Sequence, residues 1–322
     1  MMGPRIHVLH ENPAWLPPLA EAFERRRLPW DEWFLHTGTF DLAEPPPEGV
    51  FYNRMSASSH TRDHRFSAEL TAAVLAWLVR WGRRVVNGPG ALDLEISKAR
   101  QYAALERHGI AVPRTVLVAG REQIVPAAAR HFSGGPVILK PNRGGKGLGV
   151  RLFATAASLA AYVEGPEYAV PADGLVLLQE HVRAPAPVIT RAEFVGGRFL
   201  YAVEVDTSDG FELCPADVCA IGDAACPVGE APVAKFRIVG GMPEGLRDRI
   251  ERFLAASDVE VAGVEFIADT AGRVLVYDVN TNTNYNPEAE TRDGRTGTAR
   301  SGPGAIARFL EGELRRLHAE AA

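Results

Sequence analysis

Residues 137–153 read "VILKPNRGGKGLGVRLF": a strand-like apolar run ending in Lys140, then four glycines and a second lysine, then another strand-like run. Such a loop suits a polyphosphate, because backbone N–H groups without bulky side chains can fold over an anion, and Arg143 and Lys146 add positive charge. The familiar phosphate loops make narrower demands. A Walker loop needs Gly-x4-Gly-Lys followed by Ser or Thr, yet Gly145-Lys146 is followed by Gly147, and Lys140 stands five positions before Gly145. No register of Gly144, Gly145, Gly147 and Gly149 supplies Gly-x-Gly-x-x-Gly, which excludes the dinucleotide fingerprint and the protein-kinase loop. Two readings remain, a long flexible hairpin tip or a cover for phosphate. Lys140 favours the cover, because an ammonium at the end of an apolar strand is costly to bury without an anion.

A second cluster lies downstream. Glu265 falls in "AGVEFIAD" and Asp278 with Asn280 in "VYDVN", two strand-like runs joined by the turn "TAGR". Residues 278 and 280 share one face of a strand, and a hairpin brings Glu265 opposite them. Val264, Phe266, Tyr277 and Val279 alternate with these three and are expected on the other face. Two carboxylates and an amide oxygen form a hard set suited to magnesium, which completes its octahedron with phosphate and water. The competing reading is a pair of acidic edge residues in solvent.

The whole chain limits what such a site can serve. At 322 residues and 46% hydrophobic it can bury an ample core, divided among two or three compact units. With 35 Lys+Arg against 40 Asp+Glu, a net charge of -5 gives no general attraction for nucleic acid or acidic membranes, so any anion must be held locally. The start "MMGPRIHVLHENP" runs quickly into charge and proline, and no apolar stretch approaches the roughly eighteen residues that would suggest a membrane span. The chain therefore reads as cytoplasmic, with homo-oligomerisation left open. Cys214, Cys219 and Cys226 are an odd set in a large chain, which fits a reducing compartment; no histidine lies near to complete a zinc site.

Periodicity predicts an α/β protein. "RIHVLH", "WDEWFLH", "GVFYN" and "RRVVNGPG" read as strands, with helical spacing at Leu16, Leu19 and Phe23 and again at Leu70, Val74, Trp77 and Trp81. This open α/β unit spans residues 1–90, and its ligands are expected beyond the carboxyl ends of its strands. There "NRMSASSHTRDH" offers Arg54, Ser56, Ser58, His60 and Arg62, as substrate ligands or as a solvated loop. One helix is predicted over Asp93–His108, followed by the strand "VPRTVLV". The glycine loop with its strands, a helix over Ser158–Glu164 and "GLVLLQEHV" complete an α+β lobe over 91–183. A C-terminal lobe over 184–322 begins with "VITRAEFV" and "RFLYAVEV", joined by the two-residue turn Gly196-Gly197. A helix led by Pro243, the acidic hairpin, and a final helix carrying Ile306, Leu310, Leu314 and Leu317 follow. Lys235 and Arg237 read as an exposed strand face. The amide-rich "TNTNYNPEAETRDGR" offers Asn282, Asn284 and Arg292 near the metal set, although Asn and Pro also populate turns for backbone reasons alone.

Lys98 at a helix start in "ISKARQYAALERHGIAVPRT", Lys140 before the glycine loop, "LLQEHV" and the "EF...YDVN" hairpin resemble, in that order and spacing, the ATP-grasp superfamily. The likeness covers residues 87–290 and is nearest the branch of the ribosomal-protein glutamate ligase. It implies an ATP-grasp architecture behind an N-terminal open α/β domain. It also implies an ATP-dependent carboxylate-amine ligase acting on small-molecule or peptide partners, with magnesium as cofactor and manganese as its substitute. Lys98 and Lys140 would contact the ATP phosphates, and Arg143, Gly144, Gly145, Lys146 and Gly147 would close over them. Gln179, Glu180, His181 and Val182 would form the adenine hinge, Arg191 would be the catalytic arginine, and Glu265, Asp278 and Asn280 would hold the metal. Two positions depart from the pattern: Asp278, where glutamate is commoner, and Ile189, where the glutamate-ligase branch often has an acid. An ATP-grasp kinase and a non-catalytic ATP-binding module are the alternatives.

Overall fold

A computed structural model describes residues 3–208 and 235–320. The three cysteines lie outside the described residues. Among those described, the strands form three sheets.

The first is the expected parallel sheet, built from β1 (Arg5–His10), α1 (Pro17–Arg25), β2 (Trp30–Phe34), β3 (Gly49–Asn53), α2 (Ser67–Arg80) and β4 (Arg84–Val86), in the order β2-β1-β3-β4. Its central strands are covered on both faces and mostly apolar, with His7 and His10 buried among them: Ile6, Val8, Val50 and Tyr52 share one core, and Leu9 and Phe51 another. The loop from Arg54 leaves the carboxyl end of β3.

The single helix expected over Asp93–His108 is two helices, α3 (Pro89–Glu95) and α4 (Lys98–Arg107). Ser97 is extended and its side chain caps the Arg100 amide, so it starts a new helix where the apolar spacing alone suggested continuity. The break leaves Glu95 at one helix end and Lys98 at the start of the next.

The second sheet contains β5 (Thr115–Ala119), β6 (Val137–Pro141), β7 (Arg151–Phe153) and β8 (Leu175–Glu180), antiparallel in the order β5-β8-β6-β7. Two helices, α5 (Ile124–Phe132) and α6 (Ala156–Glu164), share its core. Pro126 lies in the first turn of α5, where its missing N–H has no partner to lose.

The third sheet holds β9 (Val188–Val195), β10 (Arg198–Asp206), β11 (Phe236–Val239), β12 (Val261–Ala268) and β13 (Val274–Asn280), antiparallel in the order β11-β10-β9-β12-β13. Gly196 and Gly197 have φ of 63° and 69°, the paired left-handed geometry that a two-residue hairpin needs. The helix α7 (Glu244–Ala256) follows Pro243, its N-cap, and buries Leu246, Ile250, Phe253 and Leu254. The amide-rich loop is partly helical, as α8 (Pro287–Arg292) with Asn286 as its cap.

The final helix, α9 (Gly302–Glu320), buries Ile306, Leu310 and Leu314 in the core that contains Ile6, Val8, Leu19 and Phe23. It therefore joins the first sheet to the last rather than belonging to the C-terminal lobe alone. Amphipathic spacing shows which face is apolar, not what covers it. No helix among the described residues is long and apolar enough to cross a membrane.

Candidate nucleotide and metal site

Elements from all three sheets meet around a cavity of about 600 Å³. Lys98, at the first position of α4, places its Nζ 2.5 Å from Asp278 Oδ1. Burial opposes its charge, but Asp278, assisted by Tyr102 and Glu95, raises its pKa to about 12. Lys140, at the end of β6, is 5% exposed, and its Nζ donates to the Tyr102 hydroxyl at 2.5 Å. Here burial and the charge on Lys98 win over the carboxylates, and its pKa falls to about 7. The two lysines are thus unequal: Lys98 has a carboxylate counter-ion, and among the described residues Lys140 has none.

Tyr102 is a hub that the sequence reading missed. Its hydroxyl donates to the Tyr277 carbonyl at 2.8 Å and accepts from Gln179 Nε2 at 3.1 Å as well as from Lys140. The available signal was its place four residues after Lys98, on the same helix face. Gln179, Glu180, His181 and Val182 line the cavity where β8 runs out. The Glu180 carboxylate accepts from the Arg114 amide at 2.8 Å, which fixes this hinge to the start of β5.

Glu265 on β12 lies opposite Asp278 on β13, and Gly263 opposite Asn280. A bulge follows: Phe266 pairs with Val276, so Tyr277 is the extra residue. Val264, Phe266 and Val279 point into the core as expected, but Tyr277 does not join them. It lines the cavity beside Glu265, because a bulge breaks strict alternation. Burial lifts the pKa of Glu265, Arg191 pulls it down, and the neighbouring Asp278 lifts it again, leaving it above the usual carboxylate range. Among the described residues no three His, Cys, Asp or Glu side chains cluster as a metal set. The third oxygen on offer here is the Asn280 amide. A hard divalent cation fits this donor set, since two closely opposed carboxylates with a neutral oxygen beside them gain from a shared positive charge.

Arg191 on β9 is 6% exposed and held on three sides: Nε to Glu193 at 2.7 Å, one terminal nitrogen to Glu265 at 2.9 Å, the other to the Thr283 hydroxyl at 2.5 Å. Burial works against its charge, but Glu193 and Glu265 outweigh it and raise the pKa above its ordinary value. Arg191 thus pairs with Glu193 and also stands in the cavity wall. Room for this guanidinium comes from Gly263, where a Cβ would stand 2.6–2.9 Å from its atoms.

Gly144, Gly145, Lys146 and Gly147 line the cavity, whereas Arg143 does not. The Arg143 guanidinium turns to Glu69 of α2 at 2.7 and 3.3 Å, so it is not among the cavity cations. From the N-terminal loop Ser56 and Ser58 reach the cavity, and Asn282 and Asn284 reach it from the loop after β13. Arg54 instead braces that loop, donating to the Thr283 carbonyl and the Asn284 amide oxygen. Arg62 binds Glu11, His60 bonds to the Ala57 carbonyl, and Arg292 donates to the Phe236 carbonyl; none of the three lines the cavity. Arg237 is exposed beside Glu204, as a solvent-facing strand residue should be. Glu95 was also missed. It lines the cavity but spends its oxygens on the amides of Ala57 and Thr281 and on the Thr281 hydroxyl, joining the N-terminal loop to the end of β13.

No family model matches the sequence. The chain is 28% identical over 149 residues to the "Probable alpha-L-glutamate ligase" of Teredinibacter turnerae, which covers 45% of this chain and 48% of the relative. The chain therefore matches about half the length of that curated relative. Among solved structures it is similar to a RimK-domain ATP-grasp protein of Sphaerobacter thermophilus, with TM-score 0.65 and 21% identity over 95% of this chain and 98% of the other. The D-alanyl-alanine synthetase A of Vibrio cholerae gives TM-score 0.66 at 13% identity, covering 98% of this chain and all of that one, 100%. The fold is that of the ATP-grasp enzymes.

Proposed function

We propose that this ATP-grasp chain is an ADP-forming carboxylate-amine ligase. The observation that carries the reading is the convergence, in one cavity, of two lysines, two opposed carboxylates with an amide, and a fixed arginine beneath a glycine loop. The names of its relatives support the same class.

On this reading a substrate carboxylate attacks the γ-phosphorus of ATP, the bond to the β-phosphate oxygen breaks, and ADP leaves. The resulting acyl phosphate is attacked by an amine; the tetrahedral oxyanion collapses, phosphate departs, the amine loses a proton and an amide remains. Lys98 and Lys140 offset negative charge on the phosphates as it moves toward ADP. Glu265, Asp278 and Asn280 would hold magnesium or manganese, whose chemistry when bound is to neutralise phosphate oxygens and orient them. Arg191 presents a rigid fork to the oxyanion, a task an ammonium performs less well. The glycine loop keeps water from the acyl phosphate. Ser56, Ser58, Asn282 and Asn284 are assigned to the acid and amine, which are small molecules or peptides. Ile189, one of the two departures from the glutamate-ligase branch, bears on their identity, since that branch often has an acid there.

The test is an ADP-release screen with pools of amino acids and peptides, followed by the mass of the product. An amide with one free phosphate per turnover is expected. A product that keeps the phosphate would replace ligation by phosphoryl transfer to a hydroxyl, and binding of magnesium-ATP without turnover of any pool would leave a nucleotide-binding module.

A further inference from the structure

We propose that Glu69 is a positioning residue that, together with Trp15, latches the glycine loop shut from the N-terminal unit. Arg143 opens this loop, is 6% exposed, and faces away from the cavity into a two-point contact with the Glu69 carboxylate. Glu69 lies on α2, 74 residues away in sequence, so the contact ties the loop to a different sheet. A second tie is independent of the first. Lys146 Nζ stands 5.1 Å from the centre of the Trp15 ring, and the guanidinium of Arg62 stands 5.0 Å from the same ring. A Cβ built on Gly145 would stand 3.5 Å from the Ser58 side chain, so the loop passes about one side-chain atom away from the N-terminal wall.

Burial gives the pair its leverage. A guanidinium removed from water needs its carboxylate, and if that partner is lost the cheapest remedy is for the loop to lift and rehydrate Arg143. Glu69 itself is largely exposed, with 57% of its side chain accessible, so its loss does not empty a core. The N-terminal unit would then decide whether the cavity is closed, and the same wall that supplies Ser56 and Ser58 would sense what lies beneath. The link to catalysis rests on the proposed nucleotide site; the latch itself does not.

Trypsin can test it on the full chain, because Lys146 lies within the loop. In nucleotide-free protein, Glu69→Gln should speed cleavage after Lys146 by about ten-fold relative to wild type, with unchanged thermal melting. The charge swap Glu69→Arg with Arg143→Glu should restore protection. Calorimetry with magnesium and the non-hydrolysable analogue AMP-PNP should show about ten-fold weaker binding in Glu69→Gln. Cleavage of Glu69→Gln within two-fold of wild type, or a swap cleaved as fast as the single variant, overturns the latch. Failure of wild type to bind AMP-PNP would count against the nucleotide site alone, leaving the digestion to judge the latch.

Discussion

Lys140 and Lys98 show how one residue type acquires two roles from its surroundings. Lys98 stands on a carboxylate and keeps its charge, whereas Lys140 has a hydroxyl for its nearest partner and a pKa near 7 instead of 10.5. Between those two values the unfolded chain binds a proton that the folded, ligand-free protein does not. Its contribution to stability is therefore complete above the unfolded value and is lost as pH falls toward 7. A polyphosphate beside it reverses the balance. Binding of magnesium-ADP at pH 8.5 should take up as much as one proton, seen by calorimetry in two buffers of different ionisation enthalpy, and Lys140→Met should abolish the uptake. Arg191 makes the complementary case. Arg191→Lys keeps a charge but loses the fork that meets Glu193, Glu265 and Thr283 together, so turnover should fall about a hundred-fold or more. Affinity for magnesium-ADP, measured separately, should change far less.

At the scale of elements, small irregularities build the site. The break at Ser97 turns one predicted helix into two and aims Glu95 and Lys98 at the cavity; the bulge at Tyr277 turns that side chain into the cavity. Gly263 works by absence. It sits between Glu193 and Asn280 in the ladder, and its missing Cβ is the space in which the Arg191 guanidinium lies. Gly263→Ala should displace that guanidinium, destabilise the protein by about 1–3 kcal/mol and lower kcat about ten-fold or more. Unchanged kcat in a folded variant would show that Arg191 needs no such fixed seat. The strands β12 and β13 have a simpler expectation: Glu265→Ala and Asp278→Ala should each abolish turnover while leaving the circular dichroism spectrum intact, and near wild-type rates in either would remove the proposed metal assignment.

Across the whole molecule, the N-terminal sheet is joined to the third by buried polar ties as well as by α9. Asn87 is the clearest of them. It is fully buried with φ of 55°, a left-handed conformation that Asn tolerates better than most residues. Its side chain donates to the carbonyls of Val261 and Thr281 and accepts from the amides of Glu260 and Val261. Asn87→Ala would leave these groups buried without partners, and should cost about 3 kcal/mol or more in urea denaturation. A loss under about 1 kcal/mol would mean that water replaces the amide.

Much of this was legible in the residues because its physics is local. Alternation fixed the strands, paired glycines fixed the first hairpin, and a carboxylate two residues from an amide on one strand fixed a polar face. The glycine loop could be separated from the familiar phosphate loops by spacing alone. Contacts between distant segments could not be read this way, since a guanidinium in sequence carries no mark of its partner. Only the folded chain turned Arg143 toward Glu69, seated Arg191 against Gly263, and gave Lys140 a hydroxyl for its nearest partner. Each outcome depends on which surfaces meet when three sheets close on one cavity, because burial and the charges across that gap, rather than residue type, set what a side chain can do.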